Sequence, residues 1–252
     1  MRPLSVPELL AVWELGLGAM PLQRALTILS AANPGSSPPA LARLSIGRRD
    51  SDLLQLREWA FGKDLTIVAA CPSCNQTLEL TLQIEQLRRA SGPKSDSADE
   101  TDGCAELRDR EQHRYNICFR PLNSEDIASC AGLELAAARR KLLGCCVLEA
   151  RREGVSVAPE ELPEELAQPL LDSVAASDPA AETRIELSCP ECHTNWNEVF
   201  DIVSFFWTEI DAWARRTLRD VNVLARAYGW REGEILAMSP MRRQIYMAMA
   251  QA

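Results

Sequence analysis

Four cysteines in this chain have both the chemistry and the spacing to bind a metal: Cys71 and Cys74 in Cys71-Pro72-Ser73-Cys74, and Cys189 and Cys192 in Cys189-Pro190-Glu191-Cys192. Zinc takes four soft thiolates in a tetrahedron, and a gap of two residues lets one tight turn aim two sulfurs at the ion. Half a site binds poorly, so each pair predicts the other. The expectation is one structural Zn2+ held by Cys71, Cys74, Cys189 and Cys192, closed to water and therefore holding the fold without doing chemistry. Two other chemistries fit parts of the pattern. A C-x-x-C can be a dithiol redox couple, but neither pair stands in a strand-to-helix setting of the thioredoxin type. Cys189-Pro190-Glu191-Cys192-His193 also matches the C-x-x-C-H haem-attachment pattern, which leaves the pair at Cys71 unexplained. His193 reads as an exposed turn residue.

No catalytic constellation accompanies these cysteines. The two histidines, His113 and His193, stand without a G-x-S-x-G turn, an H-E-x-x-H helix or a glycine-rich nucleotide fingerprint. Gly62-Lys63 is not a phosphate loop, because Asp64 stands in place of Ser or Thr and Arg57 in place of the first glycine. Neither an enzyme nor a small-molecule substrate is expected.

Aiming the sulfurs requires a turn with a strand on either side, and the sequence carries that unit twice. Val68-Ala69-Ala70 before the first pair corresponds to Glu186-Leu187-Ser188 before the second; Leu80, Leu82 and Ile84 after the first correspond to Glu198, Phe200 and Ile202. Two β-hairpins clamped by one ion follow, a split zinc ribbon with its halves at residues 63–86 and 184–202. Residues 87–183 become an insertion, and helices occupy 1–62 and 203–252, the latter packing on the former. The fold class expected is α+β, predominantly α-helical. Within the insertion, residues 90–111 are acidic, hold little to bury and read as a disordered loop. Tyr115, Ile117 and Phe119 then alternate as in a strand, and Asn123 and Asp126 cap a helix predicted to run to about Arg151. The insertion as a whole reads as a small, mostly helical subdomain.

The longest periodic signal runs from Val203 to about Tyr228, with Phe206, Trp207, Ile210, Trp213 and Leu224 on one stripe roughly 39 Å long. That stripe is either core or, in part, a docking surface for a partner. A last helix from Met241 to Ala250 is rich in methionine, suited to filling core gaps or to meeting a partner.

Across 252 residues the net charge is −9, which argues against a nucleic-acid-binding ribbon. Arg215, Arg216 and Arg219 form the best basic patch, but their spacing is that of the solvated side of an amphipathic helix. No apolar run approaches the roughly 20 residues of a membrane span, and no export signal precedes the first helix, so a cytoplasmic protein is expected. Nine cysteines is an odd count, and the five outside the pairs show no disulfide-framework spacing. A reducing compartment fits them, with Cys130, Cys145 and Cys146 as small core residues.

Several longer stretches resemble a known family. They are Leu44-Ser45-Ile46-Gly47-Arg48-Arg49-Asp50, the two C-P-x-C hairpins, Phe206-Trp207 with Trp213-Ala214, Ala227-Tyr228-Gly229-Trp230, and Glu234-Ile235-Leu236-Ala237-Met238-Ser239-Pro240 followed by Arg242-Arg243 and Tyr246. The pattern is similar to zinc-ribbon proteins of contractile phage tails and phage-tail-like injection systems, some of them described as phage baseplate proteins. That resemblance implies a non-enzymatic structural or assembly component, with other baseplate or tail proteins as partners and incorporation into a tail-like particle. It also makes Trp207, Trp213, Trp230, Arg242, Arg243 and Tyr246 candidates for the partner surface. Against partner contact, Arg242 and Arg243 have the simpler reading of capping and solubilising the last helix. Two alternatives to the main role remain: a regulatory or nucleic-acid-binding ribbon, and an assembly chaperone absent from the finished particle.

Overall fold

The computed structural model describes residues 1–90 and 102–250. Ser5 and Glu8 form a capping box that opens α1 (Val6–Gly16), and Pro21 starts α2 (Pro21–Ala32). A short α3 (Pro38–Ala42) leads to α4 (Ile46–Phe61), capped at its start by Ser45 and stopped by Gly62 at φ +93°. Then come β1 (Asp64–Ala70), β2 (Thr77–Gln83) and α5 (Ile84–Ala90), followed by β3 (Gly103–Arg108) and β4 (Arg114–Phe119). Next are α6 (Ser124–Ser129), α7 (Leu135–Cys146), β5 (Val147–Arg152), β6 (Val155–Ser156) and α8 (Ala167–Ser177). The chain ends with β7 (Arg184–Ser188), β8 (Asn195–Val199), α9 (Ile202–Tyr228), α10 (Glu232–Leu236) and α11 (Pro240–Ala250).

These elements sort into two compact units. One holds Met1–Ser36 and the chain from Ile202 onward; the other is Ser37–Asp201. The helical block expected over residues 1–62 is therefore divided at Ser36, α1 and α2 grouping with α9 to α11. In that helical unit α9 is the spine, about 40 Å long at 1.5 Å per residue, and α1, α2, α10 and α11 all pack on it. Leu10 of α1, Ala214 of α9 and Leu236 of α10 meet in a buried cluster flanked by Trp13 and Trp213.

The Ser37–Asp201 unit contains three small antiparallel sheets: β1–β2, β3–β4–β5–β6 and β7–β8. The four-stranded sheet buries Tyr115, Ile117 and Phe119 against Leu143 and Cys146 of α7 and Leu170 and Val174 of α8. The insertion thus carries, besides its helices, a four-stranded sheet where one strand was expected. The helix predicted through Arg151 stops twice. Gly132 turns the chain at φ +77° between α6 and α7, and Val147–Arg152 pairs with β4 as a strand. Of the loop expected over 90–111, residues 91–101 lie outside the described residues, and Gly103–Arg108 forms a strand, Ala105 and Leu107 packing against this core. Cys104 and Cys118, expected to be free thiols, are cross-strand partners in the β3–β4 register and form a disulfide with Cα atoms 4.0 Å apart. Of the three cysteines expected in the core, Cys146 is buried, whereas Cys130 and Cys145 are half-exposed.

Candidate metal centre

α4 is the element from which both cysteine turns are positioned. At its C-terminal end the buried Arg57 donates from Nη1 to the Gly62 carbonyl (2.7 Å) and from Nη2 to that of Asp64 (2.8 Å), fixing the angle at which β1 leaves the helix. One turn of carbonyls meets a planar fork of donors, a geometry that Lys does not reproduce. On the far side of the hairpin, Arg88 of α5 reaches back to Glu58 (2.7 Å) and Gln55 (2.8 Å) of α4, so the hairpin is fastened to α4 before β1 and after β2. At the other end of α4, the Gly47 amide donates to Asp178 Oδ2 (2.8 Å), just ahead of β7. A Cβ on Gly47 would overlap that carboxylate, which is why the Ser45-Ile46-Gly47 turn carries glycine. α5 packs against both α4 and β7. The stretch from Leu44 to Asp50 is therefore structural: it joins the segment leading into the second hairpin to the helix that carries the first.

Both turns have the same backbone. The Cys71 amide donates to the Gln76 carbonyl and the Asn75 amide to the Cys71 carbonyl, each at 2.9 Å; Cys189 and His193 repeat the pattern at 2.9 and 3.0 Å, with Thr194 in the place of Gln76. Asn75 and His193 occupy the left-handed region at φ +58° and +57°, a conformation in which Asn and His are enriched. His193 is thus an exposed turn residue that shapes the second knuckle, and its ring is outside the sulfur cluster.

The sulfurs of Cys71, Cys74, Cys189 and Cys192 all lie within 4.8 Å of one another. The short approaches run between the hairpins, Cys71 to Cys192 and Cys74 to Cys189, each at 3.6 Å. Disulfide sulfurs stand about 2.05 Å apart. Four sulfurs on a tetrahedron of 2.3 Å Zn–S bonds stand about 3.8 Å apart, so the donor set fits zinc. Electrostatics agree. For Cys74 the Gln76 amide favours the thiolate, but desolvation and the three neighbouring cysteines outweigh it and push the pKa up to about 12. Cys192, beside the Thr194 hydroxyl at 3.3 Å and the Thr194 amide, is drawn down to about 6. Four thiolates at this spacing repel strongly unless a cation stands among them.

The six residues proposed for a partner surface separate. Trp207 is a core residue, 8% exposed, its ring against Gly16 and under the Arg24 guanidinium at 4.4 Å; it offers no docking surface. Trp213 is half-buried beside the Leu10–Ala214–Leu236 cluster. Trp230 and Tyr246 form a three-ring group with Tyr228, centroids 4.5 to 5.8 Å apart, with Arg242 over the Tyr246 ring at 5.7 Å. Arg243 is buried, which removes the solubilising reading for it. Arg215, Arg216 and Arg219 lie on the exposed side of α9, Arg215 paired with Asp211 at 2.9 Å. The sequence reading missed Arg57, whose partners lie five and seven residues further on, and Arg88 and Asp178, whose partners are distant in sequence.

No significant match is found among curated proteins or solved structures. A family model described as T4 bacteriophage base plate protein matches residues 28–207. That span includes α4, both hairpins and all four clustered cysteines, and it leaves out α10 and α11. Matching well over half of its length, the chain belongs to the T4 bacteriophage base plate protein family.

Proposed function

We propose that this protein is a non-enzymatic structural or assembly component of a contractile-tail base plate, and that one structural zinc ion, held by Cys71, Cys74, Cys189 and Cys192, joins its two hairpins into a split ribbon. The observation that carries the zinc reading is the convergence of four sulfurs from distant parts of the chain to within 4.8 Å; membership of the family supports the role in the base plate. Each hairpin is a sheet of two strands, and an isolated pair of that size is marginal in water. An ion contributing on the order of 10 kcal/mol is enough to decide whether such a ribbon persists. The ribbon then sets the geometry with which the helices meet other base-plate or tail proteins.

Two measurements on the same preparation test this. Elemental analysis of the purified chain is expected to give one zinc per chain. Proteomics of purified tail particles is expected to find the chain in them. A metal-free, fully folded chain sinks the zinc reading, and absence from particles with transient association during assembly identifies a chaperone instead.

A further inference from the structure

One crosslink stands apart from the other thiols of the chain. Cys104 of β3 and Cys118 of β4 are directly opposed in the strand register and joined as a disulfide, while the remaining seven cysteines are free. Tyr115, Ile117 and Phe119 of β4 point into the core, so Cys118 stands with Asn116 on the other face of the sheet, where Cys104 is exposed and Cys118 half-buried. Register partners on that outer face are polar: Glu106 lies opposite Asn116, and Glu149 of β5 opposite Cys118. The bond is within reach of small solutes in water. Exposed disulfides of this kind exchange with external thiols, whereas sealed structural ones resist them.

Its place in the sheet gives it a mechanical effect. β3 is the edge of its sheet, paired with β4 on one side. The Asp109–Gln112 turn closes one end of the β3–β4 hairpin. At the other end Gly103 stands opposite Phe119, and Cys104–Cys118 is the next pair in. At that same point the pairing of β4 with β5 slips between Cys118 and Phe119, so the ladder is interrupted where the hairpin has no turn to hold it. Ala105 and Leu107 of β3 follow directly and pack against the apolar cluster under the sheet.

We propose that Cys104 and Cys118 form a redox-responsive staple, open as two thiols in reducing surroundings and closed in oxidising ones, which when closed fixes the edge strand β3 onto β4. It rests on neither the zinc nor the base-plate reading. The co-reactant is a low-molecular-weight disulfide of the glutathione type. The thiolate of the exposed Cys104 attacks one sulfur of that disulfide and expels a glutathione thiolate. Cys118, its Cα 4.0 Å from that of Cys104, then attacks the Cys104 sulfur and expels the second. Two electrons pass to the oxidant, and the two protons shed by the cysteines end on the two glutathione thiols. The reverse sequence opens the bond.

The test uses the full chain as purified, equilibrated against buffers of rising glutathione-disulfide to glutathione ratio. Free thiols are alkylated and located by mass spectrometry, so that Cys104 and Cys118 are read apart from the clustered four. Both are expected to be alkylated in excess reduced glutathione and protected together at high ratio, reversibly and in the folded chain. Amide exchange at Ala105 and Leu107 is expected to be about 10- to 100-fold slower in the closed form, with Ala150 unchanged. Cys104→Ser combined with Cys118→Ser is expected to hold exchange at the open-form rate whatever the buffer. A bond that reduced glutathione opens only after denaturant unfolds the chain is a permanent crosslink, and thiols that glutathione disulfide does not close are not a pair; either result overturns the proposal. Equal exchange in the two forms of the wild-type chain overturns the effect assigned to β3, and that comparison stands even if the double variant fails to fold.

Discussion

In the proposed zinc site, a serine at position 189 would replace a buried soft ligand by a hydroxyl that zinc binds poorly, and would leave three thiolates with one side of the tetrahedron open. Cys189→Ser is expected to lose its zinc on dialysis and to melt with loss of the ribbon; unchanged metal content and melting would argue against the site. A second residue-scale prediction concerns Asp126. It accepts from Arg120 Nη1 at 2.7 Å and Nη2 at 2.9 Å, and from the Asn123 amide at 2.9 Å. Burial alone would raise its pKa, but the guanidinium fork and the amide outweigh burial and hold the carboxyl below its ordinary value. The folded pKa therefore lies under the unfolded value of roughly 3.9, and the pair's stabilisation is complete above that value and lost as pH falls through the folded one. Asp126→Asn is expected to destabilise by about 1–3 kcal/mol at neutral pH, since it leaves a half-buried arginine with only its two carbonyl partners. In denaturant titrations the gap between wild type and variant should close below about pH 4; a gap that is constant with pH would assign the loss to packing.

At the scale of elements, α4 carries the prediction that separates positioning from ligation. Arg57→Met leaves all four sulfurs in place but orphans two carbonyls at the helix-to-strand junction, a loss of about 2–4 kcal/mol. Zinc affinity, read by competition with a chromogenic chelator, should fall about tenfold or more as the first hairpin loses its fixed angle. Unchanged affinity would mean that the knuckles find each other without the strut. The hairpins were legible in the sequence because each is local: alternation, a C-P-x-C turn and a residue tolerant of positive φ stand at the same places in both copies. The helices that start at Ile84 and Ile202 even begin at the same point of the repeat. What was not legible depends on residues far apart. Val147–Arg152 has a composition that a helix accepts, and only pairing with β4 makes it a strand. The Cys104–Cys118 bond follows from the β3–β4 register and not from spacing. Trp207 stands on a stripe that sequence alone leaves open between core and partner, and the close approach of Gly16 decides for core.

For the molecule as a whole, the proposed zinc ion would hold a different part of the Ser37–Asp201 unit from the part that the sheet core stabilises. β1–β2 and β7–β8 are separate two-stranded sheets whose turns bring the four cysteine sulfurs together, whereas β4 and β5 rest on a continuous apolar cluster that includes fully buried Ile117 and Leu170. On the zinc reading, removing the ion would withdraw the clamp without touching that cluster. With a strong chelator in excess, amide exchange is expected to accelerate at Val68 to Ala70, Thr77 to Glu79, Leu187 and Trp196, while Ile117 and Ala150 keep their protection. Adding zinc back should restore the slow exchange. Uniform acceleration over both sheets would show that the ion is required for the whole unit to fold, and no change at the hairpins would show that burial around Leu65 and Leu187 already holds them. The first pattern locates the ion's contribution in the relative placement of two otherwise marginal hairpins, which is the property a base-plate component needs if its surfaces are to meet several neighbours at fixed angles.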